Sequence, residues 1–203
     1  KRHGQVNFEL DFIVMSPGYK SENKELIFTN AEKLNIPIKM FDSPIYDVVM
    51  NEEKGSPCYL CARMRRGYLY SKAKELGCNK IALGHHFDDV IETILLSMLY
   101  GGEIKTMMPK LHSTNFEGME LIRPLYLVKE QTIISWSKYN SLEFINCACE
   151  LTEKYKNNND GGGLKREEMK RLISQFREVS PLIEMSLFRS VENIHLDAII
   201  GYK

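Results

Sequence analysis

The chain has 203 residues, of which 43% are hydrophobic, 27% charged and 10% aromatic, a composition that is typical of a globular domain and excludes a disordered or fibrous protein. Its 27 basic residues balance 27 acidic ones, so any nucleic-acid site must be a local patch, not a global positive field. The best candidate for a membrane span, Val90–Tyr100, is shorter than the roughly 20 residues that cross a bilayer, and it carries Glu92. A membrane is therefore not a predicted partner.

The number of cysteines indicates the cellular compartment in which the protein is expected to occur. The five cysteines are an odd number, and no secretory signal pattern occurs in the sequence. These features predict a cytoplasmic protein with reduced thiols, in which clustered cysteines indicate metal or redox chemistry more than disulfides. Cys78 has no partner nearby in the sequence and is predicted to lie in the core.

The first half of the chain alternates between strand and helix patterns. Apolar runs predict strands over Phe8–Met15, Ile36–Phe41 and Lys80–Leu83. Helical spacing predicts helices over Ser21–Leu34, with Ser21 as N-cap, Tyr59–Leu76, stopped by Gly77, and Asp89–Tyr100, which buries Met98 and Leu99 and ends at Gly101-Gly102. This alternation predicts an α/β fold with an open parallel sheet and helices on both faces.

The second half is less regular. We predict strands over Leu121–Leu125 and Leu142–Ile145, and helices over Lys129–Tyr139 and Lys165–Val179. Asn157–Gly163, rich in Asn and Gly, is predicted to be a flexible linker. The predicted organisation is an α/β domain over residues 1–155, followed by a linker and a short helical C-terminal appendage over residues 156–203.

Residues 84–89 (GHHFDD) follow a short apolar strand and open a helix. Open α/β sheets bind ligands beyond the carboxyl ends of their strands, and helix N-termini offer free N–H groups to anions. Gly84 allows a ring or phosphate to approach the backbone, and two adjacent carboxylates indicate Mg²⁺ coordination or stabilisation of positive charge. An equally weighted alternative is a helix cap formed by Asp88 or Asp89.

Cys58 and Cys61 lie at the start of a predicted helix, where the helix dipole favours thiolates. Cys147 and Cys149 can complete a zinc site or an iron–sulfur cluster with one open iron, although buried small hydrophobes and a redox pair remain alternatives. Arg65 shares a helix face with Cys58 and Cys61, and its charge can hold a phosphate. The default interpretation of a run of basic residues on a helix is a face exposed to solvent. The same default is favoured for a second basic cluster within residues 165–171.

Together these motifs closely resemble the tRNA 2-thiocytidine synthetase family of N-type ATP pyrophosphatases, and the resemblance covers roughly Phe8 to Cys149. The residues that carry it are Pro57–Cys61, Arg63, Arg65–Gly67, Tyr70, Lys80–Asp89, Glu92–Thr93, Tyr100–Gly102, Lys105, Met108–Leu111 and Ile122–Leu125. The resemblance implies an α/β fold like that of the adenine nucleotide α-hydrolases.

The resemblance also implies a reaction in two stages. ATP with Mg²⁺ adenylates the C2 oxygen of a tRNA cytidine and releases pyrophosphate; sulfur delivered through a [4Fe–4S] cluster then displaces AMP. The implied partners are tRNA and a sulfur donor such as a cysteine desulfurase, and a homodimer is compatible with them. The implied site residues are Asp89 and Arg65 for catalysis, Gly84, His85 and Asp88 for nucleotide and Mg²⁺, and Cys58, Cys61 and Cys147 for the cluster, with Cys149 as alternative third ligand and zinc as competing metal.

The sequence departs from the family in two places. The Ser-Gly-Gly-x-Asp-Ser phosphate loop does not occur, so we expect the sequence to be N-terminally truncated and the 203 residues alone to be inactive and not to bind ATP. Cys147-Ala148-Cys149 replaces two cysteines separated by two residues. Two other functions remain open: an ATP pyrophosphatase with another acceptor, and a non-catalytic, metal-stabilised RNA-binding module.

Overall fold

The structure, a computed structural model, describes residues 7–50, 57–145 and 162–201. It divides into two compact units. The first comprises Lys1–Ile81, His112–Glu120 and Ser135–Asp160, and the second comprises Ala82–Leu111, Leu121–Ile134 and Gly161–Lys203. Within the described ranges, no helix combines the length and apolar character that a membrane span requires.

The first unit is built on a βαβ arrangement. Strand β1 (Phe12–Ser16) pairs in parallel with β2 (Ile38–Asp42), and helix α1 (Ser21–Lys33) connects them. Helices α2 (Ile45–Met50) and α3 (Pro57–Glu75) follow. Because parallel neighbours need a crossover connection, this arrangement agrees with the predicted parallel α/β fold.

Three short strands form a second sheet in the order β3, β5, β4. They are β3 (Lys80–Ala82), β4 (Lys110–His112) and β5 (Glu120–Ile122). Strand β3 ends directly before the GHHFDD segment, so the predicted strand-to-helix junction is confirmed.

Helices dominate the second unit. They include α4 (Phe87–Gly101), α6 (Gly162–Val179) and α7 (Ile183–Ser190), whereas α5 (Glu130–Tyr139) begins in this unit and ends in the first. One apolar cluster joins α4, α6 and α7: Phe87, Val90, Ile91, Ile94, Leu95, Met169, Ile173 and Phe188. The predicted amphipathic C-terminal helix therefore packs on α4. The predicted domain boundary, between residues 155 and 156, lies outside the described residues.

Several element boundaries differ from prediction. The first strand begins at Phe12, and Lys20, not Ser21, is the N-cap of α1, since its carbonyl already accepts the N–H of Lys24. Helix α6 begins at Gly162, so the last two residues of the predicted linker are helical, while residues 157–161 lie outside the described ranges. Helix α4 does end as predicted, with Gly102 in the left-handed conformation (φ +61°).

Other predictions were wrong. Met98 and Leu99 are 46% and 58% exposed, because the last turn of α4 extends beyond the apolar cluster. Residues 142–145 form no strand; the N–H of Leu142 instead bonds to the carbonyl of Ser137 at 3.0 Å and closes the end of α5. Cys78 is only half-buried, with its Sγ 4.0 Å from Asp11. Strand β4 and helices α2 and α7 were not predicted.

One charged side chain is almost completely buried in the second unit. Glu92 on α4 is 1% exposed, and two cations of α6 approach its carboxylate: Arg166 Nε lies 3.1 Å from Oε2 and Lys170 Nζ 3.8 Å from Oε1. Burial raises the pKa of Glu92 to about 7, although both cations act in the opposite direction. Burial therefore affects the carboxyl more strongly than its ion pairs do.

We expect this carboxyl to make the stability of the protein depend on pH. Between pH 4.5 and about 7, the folded state keeps a proton that the unfolded chain releases, so the free energy of unfolding falls as the pH rises and is level above 7. The fall is at most about 1.4 kcal/mol per pH unit. Urea unfolding at several pH values should show a shallower fall in Glu92→Gln than in the wild type. The exposed Glu167→Gln on α6 is the control, and an equal slope in Glu92→Gln and wild type would contradict the expectation.

Candidate functional site at the start of helix α4

The junction between β3 and α4 is held by backbone hydrogen bonds. The N–H of Leu83 donates to Ile122 and the N–H of Phe87 to Val128, both at 2.9 Å. His86 is extended and is the N-cap of α4, which begins at Phe87, so neither Asp88 nor Asp89 is the N-cap residue. Asp89 nevertheless caps the helix, because its carboxylate accepts the N–H of His86 in a capping box. A Cβ on Gly84 would meet no described atom within 4 Å. Gly84 is exposed, so the backbone at this junction is open to solvent.

The two adjacent aspartates have different surroundings. The side chain of Asp88 is 5% exposed, and both oxygens are engaged: Arg177 donates to Oδ1, and the N–H of Glu130 donates to Oδ2 at 2.7 Å. The Asp89 side chain is 17% exposed, its Oδ2 accepts the N–H of His86 at 3.0 Å, and Arg166 Nη1 lies 3.9 Å from its Oδ1. Asp89 thus satisfies the backbone of the N-cap residue, and its carboxylate is the more accessible of the two.

The histidines of the segment lie beside this carboxylate. Arg123 Nε lies 3.3 Å from Nδ1 of His85 and is placed to donate to it. Burial lowers the pKa of His85, and the charges of Arg123 and Arg166 lower it further against the opposing effect of Asp89. The His85 ring is therefore a neutral acceptor near pH 7. His86 Nε2 lies 3.5 Å from Asp89, whereas its Nδ1 is buried without a hydrogen bond among the described atoms.

Cations of α6 cover the inner face of α4. Besides Arg166 and Lys170 at Glu92, Arg177 joins Asp88 to Glu184 of α7, which also pairs with Lys129 at 2.7 Å. A cavity of about 150 Å³ lies among them, lined by Asp88, Glu92, Glu130, Lys170, Ile173 and Arg177. A network of ion pairs between carboxylates of α4 and cations of α6 thus holds the start of α4 on the side that packs against α6.

Sequence reasoning missed this network. The basic cluster within residues 165–171 was predicted to be a solvated face, which is wrong for Arg166 and Lys170. The available signal was spacing: residues 166, 170, 173 and 177 recur at intervals of three and four, so they lie on one side of a helix. Asp88 and Glu92 have the matching spacing on α4.

The predicted cluster residues belong to the first unit. Cys58 and Cys61 lie in the first turn of α3, and Cys61 packs half-buried against the core of Met15, Ile45 and Val49. The side chain of Cys58 and both Cys147 and Cys149 lie outside the described part of the structure. Among the described side chains, no group of three or more His, Cys, Asp or Glu is arranged to hold a metal ion. The predicted ligand set therefore stays a prediction.

Arg65 lies exposed on α3 in the first unit, whereas Gly84, His85, Asp88 and Asp89 belong to the second. The four residues of the GHHFDD segment are brought together as predicted by their common junction. The predicted catalytic role of Arg65 also stays a prediction.

Comparison with known proteins identifies relatives. Residues 15–159 match the PP-loop domain family. A tRNA-cytidine(32) 2-sulfurtransferase from Geobacter sulfurreducens is 32% identical over 196 residues, which cover 96% of this chain and 73% of that protein. Another from Neisseria meningitidis serogroup C is 41% identical over 144 residues, or 70% of this chain and 45% of that protein.

A solved structure supports the fold. The U34-tRNA thiolase NcsA from Methanococcus maripaludis with its [4Fe-4S] cluster superimposes with a TM-score of 0.67 at 20% identity, over 94% of this chain and 63% of that one. This chain thus spans less than two thirds of the thiolase. At that identity the likeness concerns the fold alone, and it confirms the predicted α/β class. The sequence matches are more specific: the chain belongs to the PP-loop domain family and, within it, to the tRNA-cytidine(32) 2-sulfurtransferases.

Proposed function

We propose that the protein is an ATP-dependent tRNA thiolase that modifies a cytidine. ATP adenylates the C2 oxygen of the base and releases pyrophosphate, and sulfur then displaces AMP at C2, so the C–O bond is replaced by a C–S bond. The relatives named for cytidine 32 support this substrate. The observation that carries the proposal is the strand-to-helix junction, where the exposed Gly84 precedes the N-terminus of a helix with a partly exposed carboxylate.

The start of α4 offers suitable chemistry for a nucleotide. The positive end of the helix dipole attracts phosphates, and Gly84 leaves room for them beside the backbone. Asp89 would hold Mg²⁺ between its carboxylate and the phosphates, while neutral His85 would contact the nucleotide through a ring nitrogen. Asp88 would belong to the same nucleotide site. Its buried carboxylate is held in place by Arg177 and by the N–H of Glu130.

The cysteines would supply the second stage. Cys58 and Cys61 occupy the first turn of α3, where the helix dipole stabilises thiolates, and this placement fits an anionic ligand set. With Cys147, or Cys149 in its place, they would hold a [4Fe–4S] cluster, for which zinc is the competing metal. When bound, the cluster supplies an open iron that holds the incoming sulfide. Arg65, on the same helix, would supply positive charge to the tRNA or AMP phosphate.

Nucleoside mass spectrometry of tRNA from a strain that lacks the gene tests the proposal. We expect 2-thiocytidine to be absent and to return when the wild-type gene is supplied. Loss of 2-thiouridine with normal 2-thiocytidine would support another acceptor base, and unchanged thionucleosides would support a binding module without catalysis. A soluble, cytoplasmic sulfur donor such as a cysteine desulfurase is the proposed partner.

We expect Asp89→Asn to abolish adenylation without unfolding the protein. The substitution removes the charge that would hold Mg²⁺ and should reduce pyrophosphate release about 100-fold or more. Asn still accepts a backbone hydrogen bond, so the loss of stability should stay below about 1 kcal/mol. Pyrophosphate release and thermal melting measure the two effects, with exposed Asp197→Asn as control. Release at near wild-type rate would leave helix capping as the sole role of Asp89.

We expect Cys58→Ala, Cys61→Ala and Cys147→Ala each to lose the cluster and Cys149→Ala to keep it. Three thiolates leave one iron open for sulfide, whereas a fourth would close the site. The measurement is anaerobic reconstitution followed by iron counting and spectroscopy, with Cys78→Ala as control.

Two outcomes would contradict this ligand set. If Cys149→Ala loses the cluster and Cys147→Ala keeps it, the third ligand is Cys149. If both variants keep it, the three-cysteine site is wrong.

A further inference from the structure

Arg177 connects three helices at the candidate site. Its guanidinium donates to Oδ1 of Asp88 on α4 and to Oε1 of Glu184 on α7. Both carboxylates are about 95% buried, whereas the Arg177 side chain is 42% exposed along its length. Two buried negative charges therefore meet at one cation. Removal of that cation would leave Asp88 with the N–H of Glu130 as its hydrogen-bond donor and Glu184 with Lys129 as its remaining cation.

Asp88 transmits this contact to the start of α4. Its second oxygen accepts the N–H of Glu130 at 2.7 Å, so the same carboxylate joins α4 to the first residue of α5. The Asp88 carboxylate is thus held at both oxygens, from α5 and from α6. The next residue, Asp89, has the accessible carboxylate and bonds to the N–H of His86. Rotation of the first turn would move Asp89 together with Asp88.

We propose that Arg177 is a positioning residue of the α4 site: it fixes Asp88, and through the first turn of α4 it fixes the carboxylate of Asp89. This inference rests on the proposed function for its catalytic consequence, but the positioning itself concerns only this chain. On this proposal the C-terminal helices belong to the nucleotide site, and Asp88 acts through position while Asp89 acts on the substrate.

The chain offers variants that separate positioning from general stability. Arg177→Gln removes the cation from both carboxylates, whereas Arg177→Lys keeps a charge. Glu184→Gln removes the other partner of Arg177 and leaves its contact with Asp88 in place. Arg171→Gln changes an exposed arginine of the same helix and is the matched control.

Two measurements test the proposal in the whole protein. The first is hydrogen–deuterium exchange of residues 84–92, which needs no activity. We expect faster exchange there in Arg177→Gln and Asp88→Asn, and wild-type exchange in Glu184→Gln and Arg171→Gln. The second is pyrophosphate release, where we expect kcat to fall about 100-fold in Arg177→Gln, because misplacement of a reacting group by about 1 Å has effects of that size.

Three further variants distinguish a positioning role of Arg177 from a purely structural one. Arg177→Lys should recover kcat to within about tenfold of the wild type, and Glu184→Gln should keep it within about twofold even where its melting temperature falls. Asp88→Asn combined with Arg177→Gln should be no slower than the slower single variant, since both remove the same contact.

The outcomes of these measurements either support or overturn the positioning role of Arg177. Equal losses of activity in Glu184→Gln and Arg177→Gln, in proportion to their melting temperatures, would reduce Arg177 to a structural contact and overturn the proposal. If Arg177→Gln does not fold, unchanged exchange and activity in Asp88→Asn and Arg177→Lys would overturn it. A full-length wild-type protein without pyrophosphate release would instead refute the proposed function, and the exchange data would still decide the positioning.

Discussion

Two carboxylates buried on one side of α4 constrain the rest of the second unit. Asp88 and Glu92 are one helical turn apart, and both lie beside the apolar residues that pack α4 against α6. An ionised carboxylate removed from water costs several kcal/mol unless a cation or hydrogen bonds compensate for it. The cations come from α6, so the same helix that buries Met169 and Ile173 must also present basic side chains to α4. Ion pairs and apolar contacts therefore hold the same two helices, α4 and α6, together.

This constraint separates the roles of two neighbouring aspartates. Consecutive residues of an α-helix differ by about 100° in direction, so Asp88 and Asp89 cannot share an environment. Asp88 faces Arg177 and the start of α5, and each of its oxygens already accepts a hydrogen bond from one of them. Asp89 faces the N-cap and Arg166, and its side chain is more exposed than that of Asp88. Of the two adjacent aspartates, Asp88 thus holds the start of α4 in place, and Asp89 has the carboxylate that is more available to a substrate.

The sequence predicts local order better than it predicts partners between helices. Strong periodicity identified the βαβ pattern, α4 and α6, because apolar spacing follows directly from helix and strand geometry. It failed at residues 142–145, where a short apolar run continues the end of α5 as a turn, and at Met98 and Leu99, whose exposure depends on where the neighbouring helix ends. Arg166 and Arg177 were missed because their spacing places them on one side of a helix but does not show that this side faces buried carboxylates 74 to 89 positions earlier.

The proposed reaction divides between the two compact units in the same way. The GHHFDD segment and the cations that hold it lie in the second unit, whereas Cys58, Cys61 and Arg65 lie on α3 in the first. The geometry of the proposed adenylation residues depends on α6 and α7, and Cys61 packs against the core around Met15 and Ile45. The Arg177 network therefore supports the adenylation residues from within the second unit, whereas Cys61 is supported by apolar packing within the first.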